Sequence, residues 1–506
     1  MILTAGPISV TYDSGTLRYI RCGGVEVLRQ IYVALRDSRW GTIPGRVSDE
    51  SIAQGVDWFR IEFTATHRQG EIEFAWDGLI EGRQDGTIRF AMSGGAASSF
   101  LANRIGFCVL HSIDGCAGRD CTVEHTSGIR ECTRFPELVS PHQPFFDVRA
   151  ISHEVLPGLT AQVRLEGDVF ETEDHRNWTD YSFKTYSRPL TMPFPYRVLE
   201  GGRVSQSVSL SFQGPLPPHR VAAGPVQLTI GEDVEAPFPE VGVRRIDLHL
   251  GALNWDQELA GAAFAGPVEC AIFTGRPAEE LGALLSALES SRPPISRWLL
   301  FNAEGTTTPA AAVSMFRTAL SRLYPGVPLG GGSNTNFAEL NRNRQAIGDL
   351  DFVSWAINPQ QHAVDEQTLI ENLQGQRPTV ETARSFCAGR PLAISAVTLP
   401  CPALFAAGWV VGSLKHLAET GVQSVTYRNI PGAEKVLSLI EDFAPERAIA
   451  SRSSDPLSAE CLVLRNGRQI RILLANLLGS EQQVLIPGAR RETLEPYGVA
   501  FLDWVD

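Results

Sequence analysis

Polar and apolar residues alternate in short runs from Ile2 to about Arg220, as in ISVTYDSGTLRYI and EIEFAWDGLIEGRQDGTIRFAMSGG. A period of two is what a strand with one buried face requires, and Asp13-Ser14-Gly15 and Cys22-Gly23-Gly24 stand where hairpin turns belong. This pattern predicts an antiparallel β domain over residues 1–238, a large sandwich. After the Pro-rich stretch FQGPLPPHRVAAGP the rhythm changes, and strand-like apolar runs alternate with segments of helical period. Strands are expected at VRRIDLHL, VECAIFT, SRWLLFN, VPLGGGS, DFVSWAI, PLAISAVT and QSVTYRN. Between them, PAEELGALLSALESS and PAAAVSMFRTALSRLY place apolar residues at i, i+3, i+4 and i+7. Strand, helix, strand in series implies parallel pairing, so residues 239–447 are expected to form a TIM-type (β/α)8-like barrel. GAEKVLSLIEDFA reads as a helix directly after QSVTYRN, which leaves no visible eighth strand and predicts an abbreviated barrel. Alternation returns around Asn466-Gly467 and predicts a small C-terminal β domain over 448–506, again a sandwich.

The 506 residues exceed what one hydrophobic core supports, in keeping with several domains. A net charge of −13 repels polyanions and leaves no basic stripe, which excludes nucleic acid as an expected partner. The N-terminus has no basic segment followed by an apolar one, and no run is long and apolar enough to span a bilayer, so a cytoplasmic protein without a membrane partner is expected. Nine scattered cysteines do not form a disulfide framework. The cluster Cys108, His111, Cys116, Cys121, His125 and Cys132 lacks the C-x2-C spacing of structural zinc sites, and neither a metal nor another cofactor is expected.

In a parallel barrel the reactive groups stand just after the strands. Those positions hold Asn302 and Glu304, then Asn336, Glu339, Asn341 and Arg342, then Asn358, His362 and Asp365, and finally Arg428 and Asn429. INPQQHAVDE is the sharpest of these runs: a His in a strand-end loop with a carboxylate three residues on can be oriented by it and act as a general base near neutral pH. The plainer alternative makes Asp365 a helix N-cap. GGGSNTNFAELNRNR sets three glycines at a strand end, where backbone can approach a ligand; Glu339 is a proton donor or base there, or simply a first-turn acid behind an Asn336 cap. Outside the barrel, ETEDHRNWTDYSFKTYSRPL interleaves Glu173, Asp174, Arg176, Asn177 and Lys184 with aromatic rings, a composition suited to a sugar-like ligand or to docking one domain on another.

Taken together, the run from Glu171 to Tyr186, SPHQPF, NTNFAELNR, INPQQHAVDEQTLIENLQGQRPTVETAR, AGWVVGSLKHLAETGVQSVTY and SSDPL resemble the D-apionate lactonase family over most of the chain. The resemblance implies an N-terminal β domain, a TIM-type barrel and a C-terminal β domain. It also implies hydrolysis of a small sugar-acid lactone, and no metal follows from it; the residues themselves then offer His362 with Asp365, and Glu339, as candidate catalytic groups and Asn336, Asn358 and Arg428 as donors to the oxyanion. After QSVTY the chain departs from the family, with Arg428-Asn429-Ile430-Pro431-Gly432 where a Glu and a longer segment are expected. Two other readings stay open at this point. One is a glycoside hydrolase using Glu339, whose second carboxylate is missing at Arg428 and Asn429; the other is a non-catalytic sugar-acid-binding protein. The expected partner is a small-molecule sugar acid, with self-association into a homo-oligomer left open.

Overall fold

The computed structural model describes residues 1–219, 224–242, 244–262, 266–401, 403–488 and 490–505. Arg220–Ala223 of the Pro-rich stretch, Val243 at the head of the first expected barrel strand and Pro402 in the loop after the sixth lie outside the described residues. Contacts divide the chain into two units: Met1–His175 with Ser182–Ala223, and Arg176–Tyr181 with Gly224–Asp506.

In the first unit, sequence alternation becomes alternate burial. Strand Phe59–Gln69 buries Phe59, Ile61, Phe63 and Ala65 while Arg60 and Glu62 face water. Positive φ angles at Ser14 and Gly15 (46° and 81°) and at Gly23 and Gly24 (58° and 91°) close hairpins at both expected turns. The strands do not separate into two sheets but join in one 17-stranded ladder. Phe100–Ser112 carries it onward by pairing with Val25–Asp37 along one edge and Ser182–Ser187 along the other. Val25–Asp37 and Phe145–Leu156 approach each other without pairing, so the sheet curls on itself. Its interior is aromatic, with ring centroids 5.3 Å apart for Phe63 and Trp76 and 4.9 Å apart for Phe90 and Phe107.

The second unit contains a parallel eight-stranded sheet. Its strands are β1 (Glu240–Gly242), β2 (Arg245–His249), β3 (Val268–Thr274), β4 (Ile295–Asn302), β5 (Leu329–Gly332), β6 (Phe352–Ile357), β7 (Leu392–Thr398) and β8 (Ser424–Arg428). The helices are α1 (Trp255–Ala262), α2 (Pro277–Ser291), α3 (Ala310–Leu323), α4 (Phe337–Arg342), α5 (Glu366–Glu371), α6 (Gln376–Phe386), α7 (Ala403–Ala418) and α8 (Ala433–Phe443). Adjacent strands pair from β2 to β8, and the eighth strand comes from an unexpected place. The short β1, immediately ahead of β2, pairs with β8 through Glu240 and Ser424, Val241 and Val425, and Gly242 and Thr426. The chain after β8 turns directly into α8, as its period predicts, but the expected abbreviation of the barrel is corrected: the eighth strand precedes β2, and its three residues are too few to show a period.

Burial is nearly continuous along these strands, as parallel sheets between helices require. Cys270, Ile272, Trp298 and Leu300 pack outward against the helices, while Ala271, Phe273, Leu299, Phe301, Phe352 and Ala393 form a separate inner cluster. Strand Val226–Pro237, which falls before the boundary expected at 238, pairs with Arg447–Ser453 and Gln482–Ile486 in the seven-stranded C-terminal sheet. Periodicity identifies a strand but not its partner. Among the described residues, no helix is long and apolar enough to cross a membrane.

The three glycines of β5 serve packing. A Cβ on Gly330 would lie 2.3 Å from the Phe352 ring, one on Gly331 2.2 Å from Thr308 Oγ1, and one on Gly332 2.4 Å from the Ser354 carbonyl oxygen. At Gly332 the φ of 132° adds a backbone cost for any other residue. Gly332→Ala is therefore expected to lower stability by about 2–3 kcal/mol, read as a reduced urea midpoint; an unchanged midpoint would show that the site has room for a Cβ.

Candidate active site

Period-two placement of polar residues on buried strands fills the barrel with charge. Arg245 and Asp247 on β2, Glu269 on β3, Arg297 on β4, Ser395 on β7 and Thr426 on β8 alternate with side chains that face the helices. Arg245 is buried; its Nε donates to Asp247 (2.8 Å), its Nη1 to Ser395 Oγ (3.1 Å) and its Nη2 to Asn334. Arg428 at the end of β8 donates to the other oxygen of Asp247. Burial alone would raise the Asp247 carboxyl, but the Arg245 and Arg428 guanidiniums outweigh it and hold the group below the ordinary Asp range. Deeper in the barrel, Glu269 accepts from Ser395 and Thr426, and burial pushes its carboxyl upward despite Arg245 and Arg297 nearby. Sequence reasoning passed over this set, although Arg-x-Asp-x-His in β2 was a signal: charges at every second position of a buried strand point into a barrel.

Above this layer, at the C-terminal ends of the strands, lies a cavity of about 340 Å³. Of the expected site residues it is lined by Asn336, Asn358, Arg428 and Asn429, together with Arg245, Asp247, Asn334, Gln361 and Thr398. Asn336 occupies the N-cap position of α4 without capping it, and its amide instead donates to Gln361 (3.2 Å). Asn358 folds its loop by accepting from the Gln360 N–H (2.9 Å). Asp247 is the one carboxylate in this lining.

His362 follows Gln361 on the same loop and, unlike Gln361, stands beside the cavity and not in its lining. The carboxylate that it meets belongs to Asp180, which lies 2.6 Å from its Nδ1. Asp180 also accepts from Asn372 Nδ2 (2.8 Å), and that amide reaches the Pro359 carbonyl (3.1 Å), so loop and carboxylate are fixed together. The Trp178 ring stands edge-on to His362 at 5.3 Å, and Arg342 lies over Trp178 at 5.2 Å. Asn341, buried, donates to Asn177 (3.1 Å). The segment Arg176–Tyr181 thus belongs with the barrel, where Gly375 admits it: a Cβ on Gly375 would sit 1.9 Å from the Thr179 carbonyl oxygen. Arg176 is buried in this segment.

The other expected residues stand elsewhere. Asp365 caps α5, accepting from Thr368 N (3.0 Å) and Oγ1 (2.9 Å), the plainer of the two readings its position offers. Glu339 accepts from Thr306 (3.3 Å) in the first turn of α4 and does not line the cavity. Asn302 accepts from the Glu304 N–H (2.9 Å), leaving the Glu304 side chain exposed. Glu173, Asp174 and Lys184 belong to the β domain, where Lys184 lies 3.3 Å from Glu173 and Asp174 accepts from the Ser140 N–H (2.9 Å). Of the cysteine and histidine cluster, Cys116 Sγ lies 3.5 Å from His153 Nε2, a residue outside the expected set; burial lowers His111 to about 3 and His153 to about 4.

Residues 1–215 match the family model described as D-apionate lactonase, N-terminal domain, and residues 245–403 match the model described as D-apionate lactonase, TIM barrel domain. The D-apionate lactonase of Brucella anthropi is 31% identical over 451 residues, covering 79% of this chain and 72% of that protein. Among solved structures, the bifunctional glucanase-xylanase CelM2 from a metagenome library aligns with a TM-score of 0.41 at 8% identity, over 56% of this chain and 98% of its own. A GH30 endoxylanase from Clostridium papyrosolvens aligns with a TM-score of 0.38 at 8% identity, over 56% and 100%. Replacing Asp365 by Ala is expected to cost about 1 kcal/mol of stability, the value of an N-cap, while the turnover of any substrate stays within about twofold; a large loss of turnover would return Asp365 to the site.

Proposed function

We propose that this chain, which belongs to the D-apionate lactonase family, opens a small aldonolactone of the D-apionolactone kind to its free acid, with the barrel-mouth cavity as its binding site. The observation that carries this reading is the lining of that cavity: amides and two guanidiniums, with a single carboxylate held between the two arginines. Amides and guanidiniums satisfy ring hydroxyls and a polarised carbonyl. A volume near the lower end of the usual range of roughly 300–1,000 Å³ suits one sugar unit. A glycosidase needs two carboxylates facing one bond, and this lining holds one, Asp247, already paired with two guanidiniums.

In the proposed reaction His362, held by Asp180, takes a proton from water as the water oxygen attacks the lactone carbonyl carbon. The carbonyl oxygen becomes an oxyanion, for which the proposed donors are the Asn336 and Asn358 amides and Arg428 of the cavity lining. Collapse of the tetrahedral intermediate breaks the ring C–O bond, and the departing alkoxide takes the proton from His362. The acid ionises at neutral pH, so each turnover releases one proton to solution. Asp180 acts through His362, as a positioning residue.

Proton release in weak buffer from a panel of aldonolactones, apionolactone among them, tests this. His362→Ala is expected to lower kcat by about 10²–10⁴. Asp180→Asn is expected to lower it by about tenfold or more and to shift the pH profile, because the amide favours the wrong tautomer of the ring. Release from no lactone, or full activity in both variants, would overturn the reading.

A further inference from the structure

Among the described residues the barrel wall lacks a ladder on one side, and a cavity that the reaction above does not use lies there. β1 pairs with β8 only as far as Gly242 and Thr426. Beyond that point β8 continues through Tyr427 and Arg428 with no ladder to β2 among the described residues. The seam opens between α1 and α8 into a space of about 780 Å³, with Glu258 and Gly261 of α1 on one wall and Glu434 of α8 on the other. Arg245, Arg428 and Asn429 line both this space and the cavity at the barrel mouth. The partition between the two is therefore a set of side chains, the clamp of Arg428 and Arg245 on Asp247.

Arg428 commits only its Nη1 to Asp247, a carboxylate that it shares with Arg245. Among the described residues its Nε and Nη2 make no hydrogen bond, and neither does the exposed Asn429 amide beside it. Arg244, on the same seam, makes no ion pair among the described residues. A guanidinium edge with two parallel N–H donors is a receptor for a carboxylate. Glu258 and Glu434 on the flanking helices repel an anion from those walls and direct it to the arginine side.

We propose that the seam is a second binding site, for the carboxylate of an open-chain aldonic acid, and that the acid formed at the barrel mouth leaves sideways through it as its carboxylate replaces Asp247 on Arg428. The uncharged lactone has no such hold, so the seam separates product from substrate. The source of the acid rests on the proposed hydrolysis; the site itself does not.

Gly261→Cys provides a reporter, because a Cβ there meets nothing within 4 Å and the position lines the seam. In the full-length protein the rate of modification at this position by an uncharged maleimide is followed by mass spectrometry of its peptide, with gluconate as a stable aldonate and sorbitol as the uncharged control. Gluconate at saturation is expected to slow labelling by about fivefold or more, sorbitol to change it by less than about twofold, and added Arg428→Gln to abolish the protection. Arg428→Lys, which keeps the charge and loses the fork, is expected to raise the gluconate concentration needed by about tenfold, and it serves where the Gln variant does not fold. Unprotected labelling in a protein that hydrolyses lactones would overturn the seam site and leave the hydrolase reading standing. Protection specific to gluconate in a protein that hydrolyses no lactone would support the seam as an acid site and remove the hydrolase reading. Equal protection by sorbitol would overturn the carboxylate assignment.

Discussion

Between β2 and β8, which form no ladder among the described residues, a side-chain contact joins the barrel: Arg428 of β8 reaches the Asp247 carboxylate of β2, which Arg245 of the same strand also holds. Desolvating such groups is costly, and the cost is offset only when every member finds a partner. Here Arg245 meets Asp247, Ser395 and Asn334, and Ser395 passes its own hydrogen to Glu269. Residues of β2, β3, β7 and β8 and the segment after β5 are thereby tied into one network. The floor of the mouth cavity, its polarity and its boundary with the seam all follow from that clamp.

The chemistry proposed for the mouth depends on a division of labour between two carboxylates. Asp247, flanked by cations, is held in its ionised form and is a poor base. Asp180 meets a histidine instead, and fixes the orientation of its ring. The loop that carries His362 is built to keep this pairing, since Asn372 binds both Asp180 and the Pro359 carbonyl. Asp365 secures the start of the next helix and so fixes where that loop ends.

Features set by neighbours in sequence were legible: the turns at Ser14-Gly15 and Gly23-Gly24, the burial along β3 and β4, and the amides after β5 and β6 that reach the cavity. Features set by distant pairing were not. His362 and Asp180 lie 182 residues apart, so the nearer Asp365 took the role in a reading confined to local spacing. Gly330–Gly332 offered the same composition whether a ligand or the Phe352 ring approached them, and only the packing separates those cases. The Glu171–Tyr186 run was read as one element, whereas its middle, Arg176–Tyr181, groups with the barrel and its flanks with the β domain. Arg245 and Asp247 carried a legible period, but an ion pair between β2 and β8 requires knowing that those strands bound the same gap.

The clamp itself is tested most directly by the stability of the parent and of Asp247→Asn from pH 7 down to pH 3, measured by urea unfolding. A carboxyl whose folded pKa is depressed contributes stability that is fully present above its unfolded pKa and is lost as pH falls through the folded value. The parent is therefore expected to exceed the variant by about 1–3 kcal/mol at neutral pH, between the scales for a surface pair and a buried one, and the difference should close as the solution passes below the ordinary carboxylate range. A difference that stays constant over the whole range, or no difference at pH 7, would contradict the account.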